Sequence, residues 1–592
     1  FKETVSFQYS GAKNNRFLPY NAIGMDWLGW LINFADESNS QYSSIKTESL
    51  LSYNVPLTNK EHDLSGTFSW MTNQSENQWM RIQSNKTPST DIQDPSIGGQ
   101  INWIGSGTGQ HRDLGALMNL NYKYKDRYML QTVVRADANS AFGVSNRWGV
   151  FYGISGGWRF SSEPFLSGWS SWLGESKLRA SWGTSGRPPG DDYARFATYI
   201  SGSPGSYITN PTIVPDKIQL DKLKWENIKQ YDVGLELNLF KDHLFLNADI
   251  YNKVTTDMLF PSNNWEGYKI PTSSGFDKLT YYNGGEMKNV GWEFMANWKI
   301  FRTKDWLVSF DFNTSRNVNT FMSLPDNFNT EKDVSIGNGQ YPQKIVPGEP
   351  MGSFYGFRYK GVYASDKDAV AKDAEGKTMV DSKNVPIMMT YKGTYIFRGG
   401  DAIYEDINHD GKIDLNDVVY IGDSNPALTG GFGNTVRYKN WSFSYAFYYR
   451  TGYDIINMTA LNAEGMSGRD NQSKATLSRW RVQGQNEPGL LPRASMDNPA
   501  NNLGSDRYVE KGDFIRLNSI KLDYQLSPDL CKKLNLQNAS FSVSARKLFT
   551  FTNYSGQDPE VGQNASDPFS IGRDYANTPP PKMITISLAV GF

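Results

Sequence analysis

Twelve consecutive residues carry the one spacing in this chain that suits a metal ion: Asp406-Ile-Asn408-His-Asp410-Gly411-Lys412-Ile-Asp414-Leu-Asn-Asp417. Side-chain oxygens stand at loop positions 1, 3, 5, 9 and 12. Glycine at position 6 supplies a sharp turn, and the Lys412 carbonyl falls at position 7. That is the oxygen-donor scheme by which EF-hand loops take Ca2+ at about 2.3–2.6 Å. Position 12 is Asp417, where a longer Glu would close bidentately, and no helix-forming pattern leads into the loop. The expectation is a structural Ca2+, with Mg2+ as second choice, held by Asp406, Asn408, Asp410, Lys412, Asp414 and Asp417 in a surface loop. The same residues also suit a turn ordered by Asx hydrogen bonds without metal.

No other constellation points to chemistry. Asp558 and Glu560 stand two apart in an Asp-Pro-Glu loop stretch, and their carboxylates are expected to diverge there, with an Asp-Pro turn accounting for the residues. The four histidines, His62, His111, His243 and His409, are scattered. Nucleophile-elbow, phosphate-loop and zinc spacings are absent from the sequence, and the single cysteine, Cys531, excludes an internal disulfide framework. The expectation is a protein that is not an enzyme, with no catalytic residues and no cofactor for chemistry. A formal charge of −1 gives no basic patch for nucleic acid.

The elements that must position the loop are strands. In the stretch 583–592, Ile584, Ile586, Leu588, Val590 and Phe592 fall on one side and Thr585, Ser587, Ala589 and Gly591 on the other. About fifteen earlier segments repeat the alternation, most clearly at 112–124, 128–137, 230–240, 244–253, 291–300, 306–313, 441–450, 514–526 and 541–551. A tilted strand of roughly ten residues is what crossing a bilayer within a barrel requires. Leu588, Val590 and Phe592 resemble the terminal signal that directs assembly of bacterial outer-membrane proteins.

Connection lengths alternate too. Short turns stand near Pro56–Glu61, Lys125–Asp126, Lys241–Asp242, Arg302–Asp305 and Lys439–Asn440, with middling connections at 161–174 and 527–538. Long loops occupy roughly 11–43, 76–110, 185–226, 256–288, 320–428, 452–513 and 552–582, with a shorter exception at 138–146. Aromatic residues flank the short turns, as at Tyr122, Tyr124, Tyr128, Trp298, Trp306, Tyr438 and Trp441, in the manner of an interfacial girdle. Aromatics form 14% of the 592 residues while hydrophobics reach only 38%, which suits strands with one face in lipid. Inward positions carry Arg135, Asp137, Asp232, Glu236, Asp249, Glu293, Asp311, Arg516 and Arg546, so the lumen is expected to be wide and wet or to hold a polar plug. The fold class read from these patterns is all-β, a transmembrane antiparallel β-barrel with about 16 strands over residues 1–592 and a large extracellular loop region at about 320–428.

At this point the residues resemble the SusC/RagA family of TonB-dependent outer-membrane transporters of Bacteroidetes. The resemblance is carried by Arg135-Ala-Asp137 through Phe142-Gly143, Asn146-Arg147-Trp148-Gly149, Gly157-Trp158-Arg159, Leu178-Arg179 to Gly183, and Leu223-Lys-Trp225-Glu226. It continues through Tyr251-Asn-Lys253, Asn289-Val-Gly291, Gly352-Ser-Phe-Tyr-Gly356, Pro426 to Phe432, Phe514-Ile-Arg516-Leu and Asp558-Pro559-Glu560. Ala141 and Phe151-Tyr152-Gly153 depart from the family pattern in loop detail.

The resemblance implies a 22-stranded barrel around an N-terminal plug, of which this chain is the C-terminal portion, the back part of a longer exported precursor. It implies active import of an oligosaccharide or oligopeptide, energised by TonB-ExbB-ExbD, with a SusD-like lipoprotein resting on the long loops. Two other readings compete: a self-contained 16-stranded passive porin, and a soluble β-rich glycan-binding protein. The loop tryptophans Trp27, Trp30, Trp79, Trp103, Trp169, Trp172 and Trp265 offer faces that stack on sugar rings or grip peptides, or else anchor their loops.

Overall fold

A computed structural model of the chain describes residues 1–22, 33–201, 213–261, 281–325, 331–333, 335–468, 470–563 and 570–592. Sixteen strands form one sheet in which neighbours in sequence are neighbours in space throughout. They are β1 (Lys2–Leu18), β2 (Phe34–Asn54), β3 (His62–Asn85), β4 (Gln100–Tyr124), β5 (Tyr128–Asn139), β6 (Trp148–Trp158), β7 (Lys177–Arg187) and β8 (Glu226–Leu239). The series continues with β9 (Leu244–Pro261), β10 (Tyr281–Arg302), β11 (Trp306–Ser323), β12 (Leu428–Tyr438), β13 (Trp441–Thr451), β14 (Phe514–Gln525), β15 (Asn538–Thr552) and β16 (Met583–Gly591). Every pairing is antiparallel. β1 and β16 are the two edges and do not pair with each other.

The meander sorts its connections by length as the sequence predicts. Each even-numbered strand passes to the next through a short or middling turn, so all of these lie at one end of the sheet. Each odd-numbered strand leads into a connection at the other end, where the longest loops lie, while 19–33, 86–99 and 140–147 are all shorter than the middling connection 159–176. Register fixes the two faces. Asp311 pairs with Asn297, Glu293 with Asp249, and Asp249 with Gly234, so the predicted inward charges share one face. The opposite face carries Phe312 beside Phe432 and Phe447, and Leu588 beside Phe541. Ile584, Ile586 and Leu588 on that face are each about 70% exposed, which is tolerable only against lipid.

Aromatic pairs mark the short-turn end: Trp306 lies 4.3 Å from Tyr438 and Trp441 4.5 Å from Tyr524, centroid to centroid. His62 Nδ1 lies 2.7 Å from the Tyr122 hydroxyl. Tyr122, Trp306, Tyr438 and Trp441 are among the residues predicted to form the girdle, and with Tyr524 and His62 they occupy the apolar face.

Strand lengths differ from expectation. Residues 76–110 were expected to form a long loop, yet β3 runs to Asn85 and β4 begins at Gln100. Likewise β1 and β2 leave only 19–33 between them, against an expected loop of 11–43. Beyond the bilayer both faces of a strand meet water, so hydrophobic alternation stops while the hydrogen-bond ladder continues.

Neither face of the sheet can host a packed core, one being wet and the other meeting lipid. The largest core lies instead in the loops after β11 and β13. Phe357, Phe397, Ile413 and Leu503 are all but fully buried there, with Tyr363, Tyr391 and Tyr404 packed around them. Burying side chains of that size contributes roughly 1.5–3 kcal/mol each, enough to fold two loops on one another in water.

Candidate functional site

The inner wall is built around Arg179 of β7. Its guanidinium lies 2.5 Å from Asp249, 3.1 Å from Glu236 and 3.4 Å from Asp232. Reaching Asp249 on β9 means crossing β8, and Gly234 makes the crossing possible: a Cβ there would overlap Asp249 and the guanidinium. Lys177 adds a second cation 3.2 Å from Glu236. Arg135 and Asp137 pair at 2.6 Å farther round the wall. The predicted inward charges are therefore brought together as a polar lining. Glu293, exposed on the same wall, has no ion pair among the described residues.

Arg516 departs from this pattern. It is only 2% exposed, donating from Nη2 to Asp558 at 2.7 Å, from Nη1 to Glu560, and from Nε to Thr550 Oγ1 at 2.9 Å. The expectation that Asp558 and Glu560 diverge is thus corrected. Asp558 accepts the backbone N–H of Glu560 at 2.8 Å, and that turn swings both carboxylates onto one guanidinium. Two acids neutralised by a buried cation serve as an anchor for the loop after β15.

The twelve-residue acidic loop lies between β11 and β12. Asp406 accepts from Asp410 N at 3.2 Å and Gly411 N at 2.8 Å, and Asn408 accepts from Asp410 N at 3.2 Å. Asp410 accepts from Lys412 N, and Asp414 from Asn416 N, both at 2.8 Å. Asp417 accepts from Ile407 N and Asp414 N, each at 2.8 Å, and is 1% exposed. Gly411 takes φ +79°, the turn that position 6 requires. The structure brings the side chains of the candidate set into one loop that caps its own backbone, with Lys412 in a two-residue bridge to Thr390 and Tyr391. Burial pushes the Asp417 carboxyl up to about 6, and Asp406 and Asp414 add to the rise as like charges, against the two N–H groups that lower it. Among the described residues, no three His, Cys, Asp or Glu gather in a cluster able to hold an ion by themselves.

Of the tryptophans, Trp79 and Trp103 stack at 6.0 Å with planes 9° apart. Register puts both on the inner side of the extended β3–β4 hairpin, and each stays about 40% exposed. Trp169 and Trp172 sit 5.4 Å apart in the 161–174 connection at the short-turn end, where they suit a membrane boundary. Trp27, Trp30 and Trp265 lie outside the described residues. Sequence reasoning missed Asp401, fully buried between the two loops, which accepts from Arg493 Nε and Asn498 Nδ2 at 2.7 Å and from the Tyr395 hydroxyl at 2.9 Å. Arg493 and Asn498 lie more than ninety residues away in sequence, and no local pattern signals them.

With this geometry in hand, the family described as TonB dependent receptor-like, beta-barrel matches residues 2–463. The chain belongs to that family. TonB-dependent receptor P3 of Formosa agariphila is 29% identical over 600 residues, covering all of this chain and 56% of its own length. TonB-dependent receptor SusC of Bacteroides thetaiotaomicron is 26% identical over 463 residues, covering 75% of this chain and 41% of its own length. The solved structure of the RagAB peptide transporter superposes with a TM-score of 0.77 at 22% identity, covering all of this chain and 59% of that one. This TonB-dependent receptor barrel therefore spans about half the length of such relatives. The SusC/RagA likeness read from the motifs is the one the relatives carry. Localisation follows from the family and the lipid-facing strands: this is an outer-membrane β-barrel. No helix among the described residues is long and apolar enough to cross a membrane, and the strands make that crossing.

Proposed function

We propose that the full-length receptor imports an oligosaccharide or oligopeptide across the outer membrane, driven through TonB-ExbB-ExbD, with a SusD-like lipoprotein resting on its loops. The observation that carries this reading is the charged inner wall around Arg179, which a lipid-filled or tightly packed interior could not hold. The family match adds the TonB coupling by likeness. The loops after β11 and β13, folded on their own core, supply a rigid platform for a protein lid. On this reading the edges of β1 and β16 are met by further strands of a 22-stranded barrel holding a plug, and Leu588, Val590 and Phe592 direct assembly. No catalytic step is involved. Deleting TonB should abolish growth on the transported oligomer at limiting concentration, measured against a strain expressing the intact system. Uptake that persists without TonB would favour a passive porin.

We further propose that the 406–417 loop takes Ca2+, or Mg2+ less well, in a structural role. Asp406, Asn408, Asp410, the Lys412 carbonyl, Asp414 and Asp417 supply the oxygens, and a cation relieves the repulsion that Asp406 and Asp414 exert on Asp417. The folded loop holds the Asp417 proton more tightly than an unfolded chain does. Without metal, loop protection should therefore be greatest below about pH 4 and fall as the pH rises through about 6. Ca2+ competes with that proton, so its affinity should rise over the same interval. Hydrogen exchange of the 406–417 amides at pH 5 and 7.5, with and without millimolar Ca2+, reads both effects. No Ca2+ dependence at either pH would leave only the Asx-turn explanation.

A further inference from the structure

Two buried arginines lie at the extracellular side of the inner wall, and the fold treats them differently. Arg516 is surrounded by Asp558, Glu560 and Thr550. Arg573, in the loop leading to β16, is 8% exposed, and its buried Nε has no hydrogen-bond partner. Among the described residues, no carboxylate lies within ion-pair distance of it. Its guanidinium rests 5.7 Å from the centroid of the Tyr341 ring, which fixes its plane. An Nε–H buried without an acceptor costs free energy that an incoming acceptor would relieve.

Arg573 lines a cavity of about 530 Å3 together with Arg450 and Lys547. Register puts Arg450 on the inner face of β13, opposite Phe514 and next to the pair Tyr448 and Arg516. Arg450 spends its Nε on the Tyr448 hydroxyl, and Lys547 has no ion pair among the described residues. The one acidic side chain lining the cavity among the described residues is Glu560, already held by Arg516. Three cations thus face one neutralised carboxylate. Tyr575, half exposed, lines this cavity and also a neighbouring one of about 610 Å3. Amides make up most of the polar lining of that second space, with Asn338, Asn462, Asn471 and Asn502 among them, and the exposed Asp470 is its one acidic side chain among the described residues. Asn502 is 6% exposed, and its Oδ1 is buried without a donor.

We propose that these adjoining cavities bind an acidic oligosaccharide, with a sugar carboxylate seated on Arg573 between Arg450 and Lys547. A planar carboxylate matches the guanidinium fork and satisfies the unpaired Nε. Asparagine amides both donate and accept, as ring hydroxyls require, and the unpaired Asn502 Oδ1 takes a hydroxyl proton. Tyr575 offers a flat apolar face to a sugar ring at the junction. This rests on the importer reading and names the substrate class for it.

The test is binding to full-length receptor in detergent, using tetramers of galacturonate and of mannuronate, their methyl esters and tetraglutamate as probes. A free uronate tetramer should bind, and its methyl ester, identical but uncharged, should bind on the order of tenfold to a hundredfold more weakly. Arg573→Gln should remove that difference while leaving weak binding of the ester unchanged, and Arg573→Lys should restore part of it. Heat-modifiable mobility of both variants verifies the assembled barrel. Equal binding of acid and ester, an Arg573→Gln receptor that still prefers the acid, or tetraglutamate binding in place of either uronate would each overturn the proposal. Charge-selective binding without TonB-dependent uptake would overturn the importer reading and leave the site standing.

Discussion

Arg516→Met should release the loop after β15 from the barrel wall and cost the loop assembly roughly 3–5 kcal/mol, because it leaves Asp558 and Glu560 facing each other without a cation. Arg516 and Asp558 are both buried, so water cannot take over the lost interaction. The loop has other holds: the Tyr453 hydroxyl donates to the Pro559 carbonyl at 3.0 Å, and the Tyr554 hydroxyl to Asp574 at 2.7 Å. The expected result is therefore a loosened segment on an intact barrel. Trypsin should cut within 552–582 faster than in the parent while heat-modifiable mobility stays unchanged. Adding Asp558→Asn and Glu560→Gln should recover much of the loss, since the stranded charges are then gone. If Arg516→Met alone digests at the parental rate, the triad does not hold the loop.

That triad also shows where reading the sequence stops. Alternate positions of an extended strand share a side, so the spacing of Asp558 and Glu560 allows them to converge without showing what would join them. What joins them is an Asx turn closed by Glu560 N and an arginine forty-two residues upstream. The barrel itself is legible because lipid enforces the alternation at each strand separately: Phe443, Tyr445 and Phe447 face out whatever their neighbours do. Sorted loop lengths then fix which end is which. The upper parts of β3 and β4 escape notice because, outside the bilayer, nothing requires residues such as Gln78 and Gln110 to alternate with apolar ones. Phe357, Phe397 and Leu503 form a core that is equally hidden, since it is assembled from separate loops. For the acidic loop the spacing of donors and glycine is fully visible, and the structure adds the burial of Asp417 that makes its charge consequential. Arg573 sits in an ordinary Gly-Arg-Asp stretch, and only its burial without a partner sets it apart.

The contrast between neighbours in β16 gives the most direct measure of the two faces. Leu588 pairs across the sheet with Phe541 and is 70% exposed, whereas Ser587 pairs with Ser542 on the inner side. Leu588→Arg puts a guanidinium against hydrocarbon and should cost roughly 2–4 kcal/mol if it lies near the bilayer midplane. Ser587→Arg points the same group into the polar lumen, where Thr585 and Ala589 beside it are small, and should cost little. Both changes sit at adjacent positions of one strand and introduce the same residue, so net charge cannot account for a difference between them. Urea unfolding in lipid vesicles and the yield of heat-modifiable protein in outer-membrane fractions both report it. Leu588→Arg should lose folded yield and unfold at lower urea, with Ser587→Arg near the parent. Equal tolerance of the two would mean that neither face of β16 meets lipid, and the division of the sheet into a lumen face and a lipid face would fall.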